Sequence, residues 1–485
     1  MLVGGLFIFS YVPDDAFITL RYARNALRGE GFVFNAGEKI EGYTSFLWLL
    51  ILVSAGTLGA PLIITSRILG LIFSVGTLVL AGFAARANER AGVGNGSAVR
   101  GDAGRALAVF LPPMLIAASP PFLAWCLSGT ETPLFTFLLL AGCMLLRTGA
   151  RDGAALVVFG LLGLVRPEGV LLYALAFVLI LARSPNKTGI AVAGLGTAAV
   201  FYAPYLIWKW RYFGALIPNA LYANAGPPGL TIRNGARYLF GFILSYGYLL
   251  AVGLFLLQGT GGKRERLVAP LLLVAALWCT VLVLGGDWLP HYRLLLPTLP
   301  LIMIIASEGV RAAARGARLS ALAFMFVFLA MVPGAVGYNA FLAERVTVRA
   351  FALLGQRLRD ILPPGTSIAC GSPGAIGYYT DMRVIDIFGR TEAQIARRGR
   401  IVATQPGHIK TDGAYVLGRK PDLLLFGNVQ IHRGEWERDR MPLKPQENEI
   451  AARPEFSQEY EFVNIPLGGN FYLSCFKRQG FFLPL

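Results

Sequence analysis

Long apolar runs recur along the first 340 residues of this chain and alternate with short polar loops. A run of about 20 apolar residues predicts a helix that crosses the hydrocarbon core of a bilayer. The pattern therefore predicts a polytopic α-helical membrane protein with about eleven transmembrane helices. These helices are expected at residues 1–12, 62–85, 106–124, 131–147, 153–166, 169–183, 188–208, 240–258, 267–285, 293–310 and 319–338.

Two of the apolar runs are too short to be ordinary spans. Residues 1–12 cannot cross a core about 30 Å thick, so the start of the first helix is expected to lie outside this sequence. A signal peptide is the alternative for this run, but no small-residue cleavage site follows it. Residues 43–59 are expected to form an interfacial helix in the membrane surface, because counting them as a span would break the alternation of the loops.

The loops fall into two classes, and these predict the orientation of the chain. One class is basic, which is typical of cytoplasmic loops. It comprises residues 86–105, 147–151, 183–187, 263–266 and 311–318. The other class is rich in aromatic residues, proline and acids, and is expected outside the cytoplasm. It comprises a first outer loop at 13–42 and the stretches 119–133, 166–169, 209–239 and 285–293.

After residue 340 the composition changes. "TSIACGSPGAIGYY", "RVIDIFGR" and "PDLLLFG" are short β-type runs separated by glycine, proline and charged helical stretches. This pattern predicts a transmembrane domain at residues 1–340 and a soluble α/β domain at 341–485, on the extracytoplasmic side. Outside the cytoplasm Cys370 and Cys475 could form a disulfide, and two free thiols are the equal alternative.

Composition agrees with a membrane protein and limits the other classes. Hydrophobic residues make up 55% of the chain and charged residues 15%, against about 25% charged residues in soluble domains. The net charge of +16 lies mostly in the short loops, so no nucleic-acid partner is expected. With three histidines and no His/Cys cluster, a structural zinc site is not supported.

Two adjacent aspartates, Asp14 and Asp15, follow the first apolar run. The stretch from Ala16 to Arg28 predicts a helix, and one aspartate would be explained as its N-cap. An N-cap role explains only one aspartate, so it does not account for both Asp14 and Asp15. Asp14, Arg21 and Arg28 are seven residues apart, so they are expected on one helix face with acid and base already paired.

Other polar residues occur in the remaining outward loops. Several such loops on one side favour a shared site over separate coincidences, although interfacial anchoring is the favoured explanation for Lys209 and Arg211. Glu41 is a second candidate acid, with a solvated loop charge or a helix cap as the alternative. The further candidates for binding are Arg166 and Glu168, Arg211, Asn219 and Tyr222, and Asp287, His291 and Arg293.

Six stretches resemble one family of glycosyltransferases. They are "DDAFITLRYARNALRGEGFVFNAGEKIEGYTSFLW", "LSGTETPLF", "LVRPEG", "FGALIPNALYAN", "GGDWLPHYRLLLP" and "GAIGYYTDMRVIDIFGRT". Their order along nearly the whole chain resembles that of the GT-C superfamily, and more narrowly the terminal β-arabinofuranosyltransferases of the mycobacterial cell wall. The chain is shorter than those enzymes, which leaves the sugar and the acceptor open.

The resemblance implies a polyprenyl-phosphate-sugar-dependent transferase of the bacterial cytoplasmic membrane, with its active site outside. It carries a catalytic role over to Asp14 and Asp15. The expected partners are a polyprenyl-phosphate-linked sugar donor, a cell-envelope glycan or lipid acceptor, and membrane lipid. The sequence identifies no cofactor with certainty, and the acidic pair with Glu41 could hold a divalent cation.

The residues fit an inverting transfer. The phosphate leaves without a proton, so the reaction needs a base for the acceptor hydroxyl and cations for the departing phosphate. Asp14 or Asp15 is expected to be the base and Arg293 the first candidate to bind the phosphate. The alternatives are a lipid-linked oligosaccharide flippase or transporter, an O-antigen-type polymerase or ligase, and a non-catalytic scaffold that binds polysaccharide.

Overall fold

The structure is a computed structural model of the full chain, and it describes residues 11–93, 102–149, 151–258, 265–313, 317–427 and 429–484. The predicted first span at 1–12 lies almost entirely outside these residues.

The helices are α1 Asp14–Leu27, α2 Phe46–Thr57, α3 Leu62–Val93, α4 Asp102–Ala118, α5 Pro120–Cys126, α6 Thr132–Thr148, α7 Asp152–Val165, α8 Glu168–Arg183, α9 Lys187–Phe213, α10 Asn219–Asn224, α11 Pro228–Phe242, α12 Tyr248–Leu257, α13 Glu265–Leu284, α14 Leu299–Ala313, α15 Ala317–Met331, α16 Pro333–Ile361, α17 Pro373–Thr380, α18 Ala393–Arg398, α19 Gly413–Gly418, α20 Pro445–Ala451 and α21 Pro454–Glu459.

Five helices within the described residues are long and apolar enough to cross a membrane. They are Leu62–Asn88, Lys187–Phe213, Pro228–Leu257, Arg266–Leu284 and Leu296–Ala313, and each contains or closely matches a predicted span. A sixth span results if Arg105–Ala118 and Pro120–Cys126, which meet at a bend of 70°, are counted together. Among the predicted spans that the structure describes, the others coincide with shorter helices or with parts of two helices, so the number eleven stays a prediction.

The described helices pack mainly through their inner faces and leave apolar residues on the outside. In the helix Lys187–Phe213 only 6% of the most apolar window is buried within the protein. Exposed side chains on this helix include Val192, Leu195 and Val200. An apolar surface of this extent is stable in lipid, because water would be excluded from it there.

One predicted outer loop is largely helical, which corrects the sequence-based expectation for residues 209–239. Helix α9 continues to Phe213, α10 follows at Asn219–Asn224, and α11 begins at Pro228. Glycine and proline separate these helices, and their frequency gave the stretch the appearance of a loop. Helix α11 then joins α12 through a π-helical turn, Ile243–Gly247.

The C-terminal residues form a mixed sheet. Its strands are β1 Ser367–Cys370, β2 Arg383–Asp386, β5 Leu423–Leu425, β6 Gln430–Arg433, β7 Tyr460–Gly468 and β8 Phe471–Arg478, while β3 Arg400–Ile401 and β4 Lys410–Thr411 pair separately. The order is β2-β1-β5-β8-β6, with β7 also paired to β8. Strands β2, β1 and β5 are parallel, and β8 is antiparallel to its neighbours.

The structure differs in two details from the predicted division into a transmembrane domain and a soluble domain. Helix α16, Pro333–Ile361, runs through residue 340 and so crosses the predicted boundary. Cys370 and Cys475 lie buried in the sheet as free thiols, so the disulfide alternative is wrong for this structure. The C-terminal sheet therefore follows the membrane helices through a continuous helix.

Candidate active site

A cavity of about 430 Å³ lies where the polar loops of the helical region meet the C-terminal region. Small-molecule sites usually have volumes of about 300–1,000 Å³. Residues of α1, of the segment before α6, of the α7–α8 connection, of the segment after α13 and of the C-terminal region all line it. Stretches far apart in sequence thus share one cavity.

Four charged side chains form a continuous chain of ion pairs in this cavity. Asp15 contacts the guanidinium groups of both Arg390 and Arg293, the latter at 3.1 Å. The Nε of Arg293 donates to Asp287 at 2.9 Å. Asp287 in turn accepts the backbone N–H of Trp288 at 2.9 Å. The order Arg390–Asp15–Arg293–Asp287 places two cations beside the carboxylate.

These contacts determine the charge of the site. Burial alone would raise the pKa of Asp15, but Arg390 and Arg293 together hold that pKa below its ordinary value. Burial likewise opposes the charge of Arg293, and Asp287 and Asp15 nevertheless raise its pKa. Asp15 is therefore an anion, and Arg293 a cation, throughout the neutral range.

Asp14 has a different environment, although it is the adjacent residue. Its carboxylate accepts the backbone N–H groups of Gly374 at 3.0 Å and Ala375 at 2.7 Å, in the first turn of α17. Burial raises the pKa of Asp14 to about 6 against the effect of these hydrogen bonds. A Cβ at position 374 would clash with the Asp14 backbone oxygen, so this contact requires glycine.

The N-cap explanation for the acidic pair is thereby corrected. Pro13 occupies the N-cap position of α1, and no side-chain cap hydrogen bond is formed there. Asp14 instead binds the start of another helix, α17, about 360 residues later in the chain.

The expected pairing of Asp14 with Arg21 and Arg28 is wrong. Arg21 donates to the carbonyl oxygens of Phe34 at 2.7 Å and of Met382 at 2.6 Å. Arg28 pairs with Asp381 at 2.6 Å. Both arginines thus connect α1 to the first outer loop or the C-terminal region, and Arg21 does not line the cavity.

Glu41 and Lys209 form a buried ion pair, and neither residue lines the cavity. Their Oε2 and Nζ atoms are 2.7 Å apart, and the two side chains are 3% and 2% exposed. Tyr205 donates a further hydrogen bond to Glu41 at 3.1 Å. The anchoring explanation is therefore wrong for Lys209, and Glu41 is not a solvated loop charge. Within the described ranges no group of three or more His, Cys, Asp or Glu residues could hold a metal ion.

The remaining sequence candidates divide into two groups. Arg166 and Glu168 line the cavity as an ion pair of 2.6 Å, together with Asp287 and Arg293. The others do not line it. Arg211 is exposed at the end of α9, His291 is buried, and the backbone carbonyl of Tyr222 accepts from Lys410.

Asn219 has an indirect relation to the cavity. Its side-chain amide donates to the backbone carbonyls of Gly389 at 2.8 Å and Arg390 at 2.9 Å. Asn219 therefore positions the segment that carries Arg390, a residue of the ion-pair chain.

The chain is similar in sequence to two curated enzymes, both named terminal β-(1→2)-arabinofuranosyltransferase. The enzyme from Mycobacterium tuberculosis is 29% identical over 281 residues, which cover 54% of this chain and 43% of that protein. The enzyme from Corynebacterium glutamicum is 28% identical over 370 residues, which cover 65% and 51%. The resemblance to this family is confirmed, and the chain spans about half the length of these relatives.

In three dimensions the chain resembles ArnT from Cupriavidus metallidurans, solved bound to undecaprenyl phosphate. The TM-score is 0.59 at 10% sequence identity, and the match covers 98% of this chain and 96% of ArnT. The chain has the ArnT fold. Residues 340–479 also match a family model described as a domain of unknown function (DUF8728).

Sequence reasoning missed two charged residues that line the cavity. Arg390 belongs to the stretch "RVIDIFGR", which was interpreted as a strand and its boundary. Glu131 belongs to "SGTETP", which was recognised only as part of a family-like stretch. For Glu131 a signal was present, because a charged residue directly before an apolar helix is unusual near a membrane. Arg390 lies in the predicted soluble domain, where a charged residue gives no such signal.

Proposed function

We propose that this protein is an inverting glycosyltransferase that moves a sugar from a polyprenyl-phosphate donor to a cell-envelope glycan or glycolipid acceptor. The observation that carries the proposal is the position of Asp15 between Arg293 and Arg390 in the cavity of about 430 Å³. A carboxylate beside two cations supplies both groups that the reaction needs, a base and a binding site for the departing phosphate.

The walls of the cavity support a lipid-linked donor. Val283 and Leu284 line it near the end of α13 and are 65% and 40% exposed on the apolar surface. Ile232 on α11 lines it as well and is 50% exposed. A prenyl chain could therefore lie along these helices in lipid while its phosphate reaches Arg293. The ArnT structure, which contains undecaprenyl phosphate, supports the same donor class by analogy of fold.

The transfer is a single displacement. The acceptor oxygen forms a bond to the anomeric carbon as the bond from that carbon to the phosphate oxygen breaks. The acceptor proton passes to Asp15, and the phosphate leaves with the bonding electron pair beside Arg293. No second carboxylate has to attack the sugar, so the anomeric configuration inverts.

Pairing with two arginines makes Asp15 a weaker base, and two features offset this. Glycosyl transfer has an oxocarbenium-like transition state, in which the hydroxyl becomes acidic as its bond to carbon forms. The donor phosphate also competes for Arg293 and Arg390, so its binding loosens their contacts with Asp15. The carboxylate is ionised before the donor arrives and is released from its partners when the donor is in position.

The identity of the transferred sugar is proposed from the names of the relatives. Their name supports a pentose such as arabinofuranose as the transferred sugar. The distribution of the basic loops supports the outer face of the cytoplasmic membrane as the location. A direct test combines mass spectrometry of lipids that co-purify with the protein and glycan analysis of a deletion strain. We expect a polyprenyl-phosphate pentose in the first and missing terminal pentoses in the second. Precursor retained in the inner leaflet would instead indicate a flippase.

The orientation of the chain gives a separate prediction. A reporter fused after Asp102 is expected to read as cytoplasmic, and one fused after Asp412 as extracytoplasmic, because the basic loops stay inside. Alkaline phosphatase and green fluorescent protein fusions at each position measure this. A cytoplasmic result at Asp412 would contradict the outer location of the cavity, since Pro406 and Gly407, a few residues before Asp412, line it.

A further inference from the structure

A second cavity of about 200 Å³ lies on the other side of Asp15. Helix α1, helix α16 and the loops at the ends of β1 and β2 enclose it, and its polar residues include Asp14, Glu344, His408 and Lys444. It shares Asp15, Ile18 and Arg390 with the larger cavity. Asp15 is the one carboxylate that lines both cavities within the described residues.

Several polar groups of this cavity have no partner in the part of the chain that the structure describes. The indole N–H of Trp288 and the Nε–H of Arg390 are buried without an acceptor. Buried donors are normally satisfied, so two of them around one cavity favour the binding there of a ligand that accepts hydrogen bonds. Glu344 lines the same space from α16, and no hydrogen bond or ion pair of its side chain is found among the described residues.

The charges of this cavity exclude some ligands. Asp14 and Asp15 would repel a second phosphate, although Arg390 and Lys444 are also present. Burial, and then the neighbouring aspartates, raise the pKa of Glu344 to about 8, so its carboxyl is largely protonated and can donate as well as accept. Burial lowers the pKa of His408 to about 3, which keeps its ring neutral. Such a mixture of donors and acceptors matches a neutral polyhydroxylated ligand.

We propose that the second cavity binds the terminal sugar of the acceptor and presents one of its hydroxyl groups to Asp15. This inference rests on the proposed function and assigns the acceptor side of the same site. The larger cavity then holds the donor, and the shared carboxylate lies between the two substrates. That arrangement is what a single displacement requires, because the base must reach the hydroxyl that attacks the anomeric carbon.

The size and the lining of the second cavity narrow the ligand further. Its volume is below the range of about 300–1,000 Å³ that is usual for small-molecule sites, so it fits one sugar unit at the end of an acceptor. The rings of Trp288 and Phe388 each pack against the ring of His408, at 4.9 and 4.5 Å between ring centroids. They provide an aromatic wall for the C–H groups of a sugar.

Acceptor kinetics test this assignment. The donor is polyprenyl-phosphoryl arabinofuranose, and the acceptor probe is an octyl arabinofuranoside. Glu344→Leu removes the carboxyl group at nearly constant volume, and Trp288→Phe removes only the indole N–H and part of the ring. Each variant is expected to raise the KM for the acceptor about 5- to 10-fold, the effect of one lost hydrogen bond. The KM for the donor should stay within about twofold.

Controls separate the possible outcomes. Arg349→Leu changes an exposed residue of the same helix that lines neither cavity, and it should leave both KM values unchanged. Glu344→Gln should restore most of the acceptor affinity, and thermal unfolding identifies any variant that misfolds. An unchanged acceptor KM in both folded variants, or a change confined to the donor, overturns the assignment of this cavity. Absence of transfer by the parent protein contradicts the proposed function itself.

Discussion

Replacing Asp15 with Asn is expected to lower turnover by about 100-fold or more, the usual contribution of a general base. The substitution keeps the size of the side chain but removes the group that accepts the proton. It also leaves Arg293 and Arg390 without their shared anion, so donor affinity should hold or rise while kcat falls. Single-turnover transfer from a polyprenyl-phosphate sugar measures the chemical step, and donor binding is measured separately.

The neighbouring Asp14→Asn variant is the matched control. The carboxylate of Asp14 accepts two backbone N–H groups of α17, and an Asn side chain can accept only one of them. We expect a loss of roughly 1–3 kcal/mol in stability, and a smaller loss of turnover in the folded protein. Full transfer activity in Asp15→Asn would contradict the role of Asp15 as the base.

The pH dependence of the parent enzyme distinguishes the two aspartates independently. A base must be deprotonated, so kcat/KM falls as the pH drops through its pKa. Because the pKa of Asp15 lies below its ordinary value, the profile should stay level down to about pH 5. If Asp14 were the base, the rate would decline through its pKa of about 6.

The second large effect is expected for Arg293→Lys. Arg293 contacts Asp287 and Asp15 through different nitrogens while it lines the larger cavity. A lysine has one point charge and cannot keep two carboxylates and a phosphate in the same plane. We expect kcat/KM for the donor to fall about 10- to 100-fold, the cost of charge-assisted hydrogen bonds. Donor titration with the purified protein gives the affinity directly.

Arg211→Lys provides the control for a simple change of cation. Arg211 is exposed at the end of α9 and lines neither cavity, so this variant should bind the donor like the parent. The structure also argues against an anchoring role for Arg293, since its side chain is only 14% exposed and contacts two acids. Equal donor binding in Arg293→Lys and the parent would remove Arg293 from the phosphate site and leave Arg166 and Arg390.

Much of the cavity could be found from sequence, because the polar loops are conspicuous between apolar runs. Asp15, Arg166, Glu168, Asp287 and Arg293 were all candidates, and all five line the larger cavity. Their charge near a bilayer needs an explanation wherever it occurs, so each one is visible without knowledge of its partner. The length and polarity of the apolar runs likewise predicted the five long helices.

The different environments of Asp14 and Asp15 could not be predicted from the sequence. Successive residues of a helix point about 100° apart, so the two carboxylates must face different neighbours. Which neighbours these are depends on α17 and on Arg390, which lie about 360 and 375 residues away along the chain. The expected pairing of Asp14 with Arg21 was wrong for the same reason. Arg21 binds backbone carbonyl groups of folded loops, and the spacing of residues along a helix cannot predict such contacts.

The sequence by itself determined what depends on local composition: the membrane class, the long helices, the family resemblance and the acidic pair of the first outer loop. The tertiary structure decided what depends on contacts between distant segments. It placed Arg390 of the C-terminal region against Asp15, buried Lys209 against Glu41, and enclosed a second cavity behind the acidic pair. Burial and ion pairing set the charge of a carboxylate, and neither can be calculated until the chain has folded around it.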